Sequence, residues 1–169
     1  ILAGAGSDEL LDLIMRLVLT PGDAIINCPP TFGMYPFDAA LHGARVLSAP
    51  RDSRFRLDLT GIERAAGGAG VKILFLASPN NPDGGVVEPD ELRRLLDLPL
   101  LVVLDEAYAE FAGQSYIEWT TRHENLIVLR TFSKWAGLAG LRVGYGVFPP
   151  ALMPHLWKAK QPYNINVAA

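Results

Sequence analysis

Leu126-Ile127-Val128-Leu129-Arg130-Thr131-Phe132-Ser133-Lys134-Trp135-Ala136-Gly137-Leu138-Ala139-Gly140-Leu141-Arg142 is the stretch that decides the fold. Residues 126–129 form an apolar run that reads as a buried strand, and polar residues crowd its end. A lysine just past such a strand, beside hydroxyls and followed by small residues, is poorly placed to be an ordinary solvated lysine. Partial burial there would lower its pKa and leave Lys134 nucleophilic, as Schiff-base chemistry requires. Arg142 follows eight positions later with glycines between, so the backbone can fold an anion-binding group back toward the lysine. A nucleophilic amine beside an anion site points to a phosphorylated aldehyde cofactor.

Outward from this stretch, apolar runs alternate with helical patterns. Helices are expected at 8–19, with Ser7 and Asp8 as capping candidates, and at 33–42, 59–66, 88–97 and 150–160. Another is possible at 115–122. Strands are expected at 24–28, 46–49, 71–77, 100–104, 126–130 and 141–147. The turn Thr20-Pro21-Gly22-Asp23 and the breaker Gly67-Gly68-Ala69-Gly70 punctuate the series. Such alternation predicts an α/β fold, a mostly parallel sheet flanked by helices on both faces.

Ligands of such sheets sit beyond the carboxyl ends of the strands. Three strands here run into polar residues: 71–77 into Ser78-Pro79-Asn80-Asn81-Pro82-Asp83-Gly84-Gly85, 100–104 into Asp105-Glu106-Ala107-Tyr108, and 126–130 into Thr131, Ser133 and Lys134. If the three are neighbours, Asn81, Asp105, Tyr108 and Lys134 converge. The opening Gly4-Ala5-Gly6-Ser7-Asp8-Glu9 puts small residues at a helix N-terminus, where free N–H groups and the dipole hold phosphate. It is not a dinucleotide fingerprint: the third glycine position is Glu9, and no strand is expected before Gly4. Phe32, after Pro29-Pro30-Thr31 at a strand end, reads equally as core or as a ring-stacking residue.

Composition narrows the remaining choices. The 169 residues suit one domain with a sizeable core. Half of the residues are hydrophobic, at 50%, yet no apolar run approaches the roughly 18 residues of a spanning helix. The apolar surplus predicts extra buried faces, such as an interface. A net charge of -3 without a basic block gives nucleic acid no electrostatic foothold. The single Cys28 excludes an internal disulfide, fits a reducing cytoplasm and reads as a small buried hydrophobe. His42, His123 and His155 lack metal-ligand spacing, so no metal is expected.

These residues together resemble the large domain of fold-type I pyridoxal-phosphate aminotransferases, most closely the histidinol-phosphate aminotransferases. The resemblance covers nearly the whole chain. It is carried by Pro29-Pro30-Thr31-Phe32-Gly33-Met34-Tyr35, Phe55-Arg56-Leu57-Asp58-Leu59, Pro79-Asn80-Asn81-Pro82, Asp105 to Phe111, Arg130 to Tyr145 and Pro162 to Asn166. It implies that Lys134 binds the aldehyde of pyridoxal 5'-phosphate and shuttles the proton of transamination. Asp105 would pair with the protonated pyridine nitrogen and keep the ring an electron sink. Asn81 and Tyr108 would reach the ring hydroxyl oxygen. Gly6, Ser7, Thr131, Ser133 and Arg142 would form the phosphate cup, with Asp8 at its border. Phe32 would stack on the ring, where a tyrosine is usual. Asp83 stands where the family commonly has threonine and is expected to serve as a turn residue.

The resemblance further implies a piece of a longer protein. An N-terminal arm would precede Ile1, and a small domain bearing the carboxylate-binding arginine would follow Ala169. Full length, the family pattern is a cytoplasmic homodimer that works on an amino donor and a 2-oxo acid, without membrane or nucleic acid. The implied reaction interconverts histidinol phosphate and imidazole-acetol phosphate, with glutamate and 2-oxoglutarate as the other pair. An aromatic aminotransferase, a threonine-phosphate decarboxylase, and a ligand-sensing domain of a transcription regulator share the same pattern of residues.

Overall fold

The computed structural model describes residues 1–169. Seven strands form one sheet, in the order β1-β7-β6-β5-β4-β2-β3. They are β1 (Leu2–Gly4), β2 (Ala24–Asn27), β3 (Arg45–Ser48), β4 (Val71–Ala77), β5 (Leu101–Asp105), β6 (Leu126–Thr131) and β7 (Gly144–Val147). β3, β2, β4, β5 and β6 run parallel, and β7 lies antiparallel to both β6 and β1. The helices are α1 (Gly6–Val18), α2 (Met34–Leu41), α3 (Leu59–Ala66), α4 (Pro89–Leu96), α5 (Ala109–Ala112) and α6 (Met153–Ala159). None is long and apolar enough to cross a membrane.

Strand alternation creates two cores. Ile26, Leu74, Leu76, Val102, Leu104 and Val128 point to one face and pack with Ile62 of α3 and Leu92 and Leu95 of α4. Ile25, Ile73, Phe75, Val103, Ile127 and Leu129 point to the other and meet Leu10, Leu11 and Ile14 of α1, Tyr35 of α2 and Leu156 of α6. The expected helices on both faces are thus present. β4, β5 and β6 are buried on both faces, which is why they read as continuous apolar runs. Cys28 is buried and unpaired, and burial pushes its thiol up to about 12.

Local chemistry sets the ends of several elements. Asp58 accepts a hydrogen bond from the Gly61 amide at 2.9 Å and starts α3. α4 begins with a capping box between Glu88 and Glu91, with Pro89 in its first turn. The helix expected at 115–122 is a 3-10 segment, Ile117–Thr121, and that at 150–160 is a 3-10 turn, Pro150–Leu152, leading into α6.

Three expectations need correction. A strand does precede Gly4: β1 pairs with β7, Gly4 opposite Gly144. Helix α1 starts at Gly6, so Ser7 and Asp8 lie inside it, and its N-cap is Ala5 with no side-chain cap. The last strand starts at Gly144, because residues 139–141 form a 3-10 turn and Arg142 adopts a left-handed backbone at φ 49°.

The join between β7 and α1 is the tightest point of the fold. A Cβ on Gly144 would strike the Ser7 amide nitrogen and come within 2.6 Å of the Gly6 carbonyl carbon. Both are backbone atoms and cannot rotate away. Gly144→Ala is therefore expected to destabilise the protein by about 1–3 kcal/mol, the usual cost of overpacking. Denaturant unfolding measures this, and unchanged stability would contradict the close approach.

Candidate functional site

The pairing of β4, β5 and β6 carries their carboxyl ends to one edge. Ala77 lies opposite Asp105, and Asp105 opposite Leu129. The ladder continues past the strands, with the Ser78 amide donating to the Asp105 carbonyl and the Glu106 amide to that of Leu129, both at 2.9 Å. The N-terminus of α1 meets the same edge because β1 joins the sheet beside β7. Between them lies a cavity of about 170 Å³.

Ten of the eleven sequence-predicted site residues line this cavity: Ser7, Asp8, Phe32, Asn81, Asp105, Tyr108, Thr131, Ser133, Lys134 and Arg142. The eleventh, Gly6, lies directly behind its wall. Gly6 has φ +79°, and a Cβ there would come within 2.5 Å of the Arg142 guanidinium. Only glycine combines that backbone with that approach.

Asp105 is buried, at 5% exposure. Its Oδ2 accepts the Tyr35 hydroxyl at 3.0 Å, and its Oδ1 accepts the Ala107 amide at 3.0 Å. Burial pushes its carboxyl up to about 6, against the pull of these two hydrogen bonds and of Lys134. At the opposite end Arg142 reaches three acceptors, the Ser133 hydroxyl and the Ala139 carbonyl at 3.3 Å and Asp8 Oδ2 at 3.2 Å. Thr131 donates to the Ser133 hydroxyl at 3.0 Å. Hydroxyls, a guanidinium and the uncapped first turn of a thirteen-residue helix give this end the chemistry of an anion cup.

Lys134 departs from expectation in one respect. It is exposed at the cavity mouth rather than partly buried. Strand β6 ends at Thr131, and the turn closed by the Gly137 amide on the Lys134 carbonyl carries the lysine clear of the sheet. Its Nζ lies 5.5 Å from the centroid of the Tyr108 ring. Asp83 behaves as a turn residue, accepting from the Gly85 amide at 2.9 Å and pairing with the Asn80 side chain.

Two features were missed in the sequence. Tyr35, fully buried, stacks on Phe75 at 5.1 Å and meets the edge of Phe32 at 5.5 Å while its hydroxyl holds Asp105. It falls within the Pro29 to Tyr35 stretch, but a tyrosine early in an amphipathic helix reads as core. Behind the site, Glu106 binds the Tyr116 amide, the Ser115 hydroxyl and, at 3.0 Å, Arg130. Arg130 also reaches Glu110 at 2.6 Å, clamping the end of β6 to the loop after β5. Sequence spacing gives no sign of such a cross-strand pairing.

Comparison with known proteins defines first the class and then the family. Crystal structures superpose closely: histidinol-phosphate aminotransferase from Clostridium acetobutylicum has a TM-score of 0.88 at 25% identity, covering 98% of this chain and 50% of that one. That from Sinorhizobium meliloti, in complex with pyridoxal-5'-phosphate, has a TM-score of 0.85 at 33% identity, covering 94% and 45%. The fold is that of the fold-type I transferases. The family description of class I and II aminotransferases matches residues 1–169, and the chain belongs to that pyridoxal-phosphate-dependent family. The chloroplastic histidinol-phosphate aminotransferase of Nicotiana tabacum is 61% identical, covering 100% of this chain and 41% of the relative. That of Roseiflexus castenholzii is 58% identical, covering 100% and 46%. The chain thus spans less than half the length of these curated relatives.

The cavity fits such a cofactor in its own chemistry. One end is an anion cup closed over a glycine, and the other is a desolvated carboxylate that a cationic ring nitrogen would compensate. With a folded value near 6 against 3.8, the stabilising contribution of protonated Asp105 is fully present below about pH 4 and lost as pH rises through 6. Asp105→Asn is therefore expected to raise the stability of the cofactor-free protein at pH 7.5 by up to about 3 kcal/mol, two pKa units' worth. The gap should close near pH 4. Thermal unfolding across pH measures it, and equal stability of the two proteins at pH 7.5 would count against a desolvated carboxylate.

Proposed function

We propose that this chain is the cofactor-binding large domain of a longer pyridoxal-phosphate-dependent enzyme, a histidinol-phosphate aminotransferase of histidine biosynthesis. The observation that carries the cofactor reading is the convergence of Asp105, Lys134 and Arg142 on one cavity. The substrate reading rests on the relatives at 58–61% identity that bear that name. The amino group would pass between histidinol phosphate and 2-oxoglutarate, giving imidazole-acetol phosphate and glutamate.

When bound, the cofactor supplies an aldehyde that condenses with amines and a ring that takes up electrons. The chain's residues supply the rest. Arg142, Ser133, Thr131 and the amides of Ser7 and Asp8 would hold the phosphate, with Gly6 leaving room for the arginine. Asp105 would hold a proton at the ring nitrogen, and Asn81 and Tyr108 would donate to the ring hydroxyl oxygen. Phe32 packs against the ring, without the hydroxyl a tyrosine would add. Lys134 Nζ would take the proton from the substrate carbon and hold it for delivery at a second carbon, and its exposed position at the mouth leaves it open to incoming substrate. A small domain and a second copy in a homodimer would close the mouth and cover exposed side chains such as Phe37 and Leu41. A reducing compartment, the cytoplasm, suits the free buried Cys28.

In the full-length protein loaded with pyridoxal phosphate, borohydride is expected to fix the cofactor on the peptide containing Lys134. Label on Lys72, Lys158 or Lys160 would remove Lys134 from its role. Transamination assays should favour histidinol phosphate over aromatic amino acids by at least about tenfold in kcat/KM, the worth of about one net hydrogen bond. Preference for an aromatic amino acid would redirect the substrate reading and leave the cofactor reading intact.

A further inference from the structure

We propose that Tyr35 is a positioning residue for Asp105, its buried hydroxyl fixing the carboxylate in the orientation that a protonated ring nitrogen requires. The inference rests on the cofactor reading above and deepens it.

Tyr35 has no exposed surface, so packing alone would be served by phenylalanine. A buried hydroxyl must find a partner, and this one donates to Asp105 Oδ2 at 3.0 Å across 70 residues of sequence. The ring cannot swing away. It lies parallel to Phe75, 12° between planes, and Phe32 abuts it edge-on. Phe75 belongs to β4, the strand beside Asp105, so the donor is fixed to the same sheet as the acceptor. Asp105 Oδ1 is held independently by the Ala107 amide. Each carboxylate oxygen therefore has one protein donor, which stops rotation about the side-chain torsion and leaves the free lone pairs to the cavity.

The surrounding charges make the hydroxyl matter. Asp8 of α1 disfavours the ionised carboxylate, and Lys134, exposed at the mouth, opposes it with positive charge from the cavity side, which Arg142 also lines. The positive charge of Arg51 acts on the Tyr35 hydroxyl, against the upward push of burial and of Asp105. Burial is the largest force against ionisation, and the Tyr35 hydrogen bond is the largest force for it. Removing the hydroxyl would leave a carboxyl that stays protonated to higher pH and turns more freely. Either change weakens its hold on a cationic nitrogen.

The test compares wild type with Tyr35→Phe in the full-length, cofactor-free protein. Pyridoxal phosphate affinity is titrated between pH 5 and 8.5, and inorganic phosphate affinity is measured by competition as a reading of the anion cup alone. Tyr35→Phe should bind pyridoxal phosphate about tenfold more weakly at pH 7, the worth of one hydrogen bond to a charged group. Phosphate affinity should stay within about twofold, and the acid limb of the cofactor profile should move to higher pH. Unchanged cofactor affinity with an unmoved limb would overturn the proposal. So would a parallel fall in both affinities with an unmoved limb, which assigns Tyr35 to packing. If Tyr35→Phe does not fold, 3-fluorotyrosine at position 35 replaces it. Its more acidic hydroxyl should move the limb to lower pH, and an unmoved limb overturns the proposal. Failure of wild type to bind pyridoxal phosphate would instead defeat the cofactor reading, and it is scored before any variant.

Discussion

A carboxylate buried at the end of the central parallel strand governs the arrangement around it. Asp105 lies between β4 and β6, where both faces of the sheet are covered and water is scarce. Ionising a group there is costly, and the structure offsets the cost with two neutral donors rather than a contacting cation. One donor comes from the turn immediately after β5 and the other from α2. Those elements must therefore sit where they do, and the open side of the carboxylate must face the cavity.

The opposite end is built on the reverse principle. Positive potential gathers from Arg142 and the first turn of α1, and the acidic Asp8 holds the guanidinium in place across the cup. That geometry needs β7 to run antiparallel beside β6 and to bring Gly144 against the Gly6–Ser7 backbone. The antiparallel pairing of β1 with β7 at the sheet edge thus positions the first turn of α1 as well as closing the sheet. Between the two ends, the Glu106–Arg130–Glu110 cluster ties the strand that leads to Lys134 to the loop that carries Tyr108.

The sheet was legible in the sequence where burial is most complete. β4 reads correctly from 71 to 77 because both its faces are apolar, and helix α3 from 59 to 66 because a glycine run ends it. β1 was missed because three residues carry no periodicity and its partner lies at the far end of the chain. The four residues of α5 are too short for a helical pattern. Polar strand ends gave the cavity residues, since alternation and parallel order suffice to bring them together. Lys134's exposure was not legible, because it depends on how a glycine turn leaves the strand. Tyr35 was hidden by its helix, where a functional hydroxyl and a packed ring share one residue.

The central claim is that Asp105 keeps a bound ring nitrogen protonated. The direct measurement is the nitrogen-15 chemical shift of pyridoxal phosphate labelled at the ring nitrogen and bound to the full-length protein. A protonated shift at neutral pH in wild type, lost in Asp105→Asn, is the result the account predicts. The same shift in both proteins would contradict it.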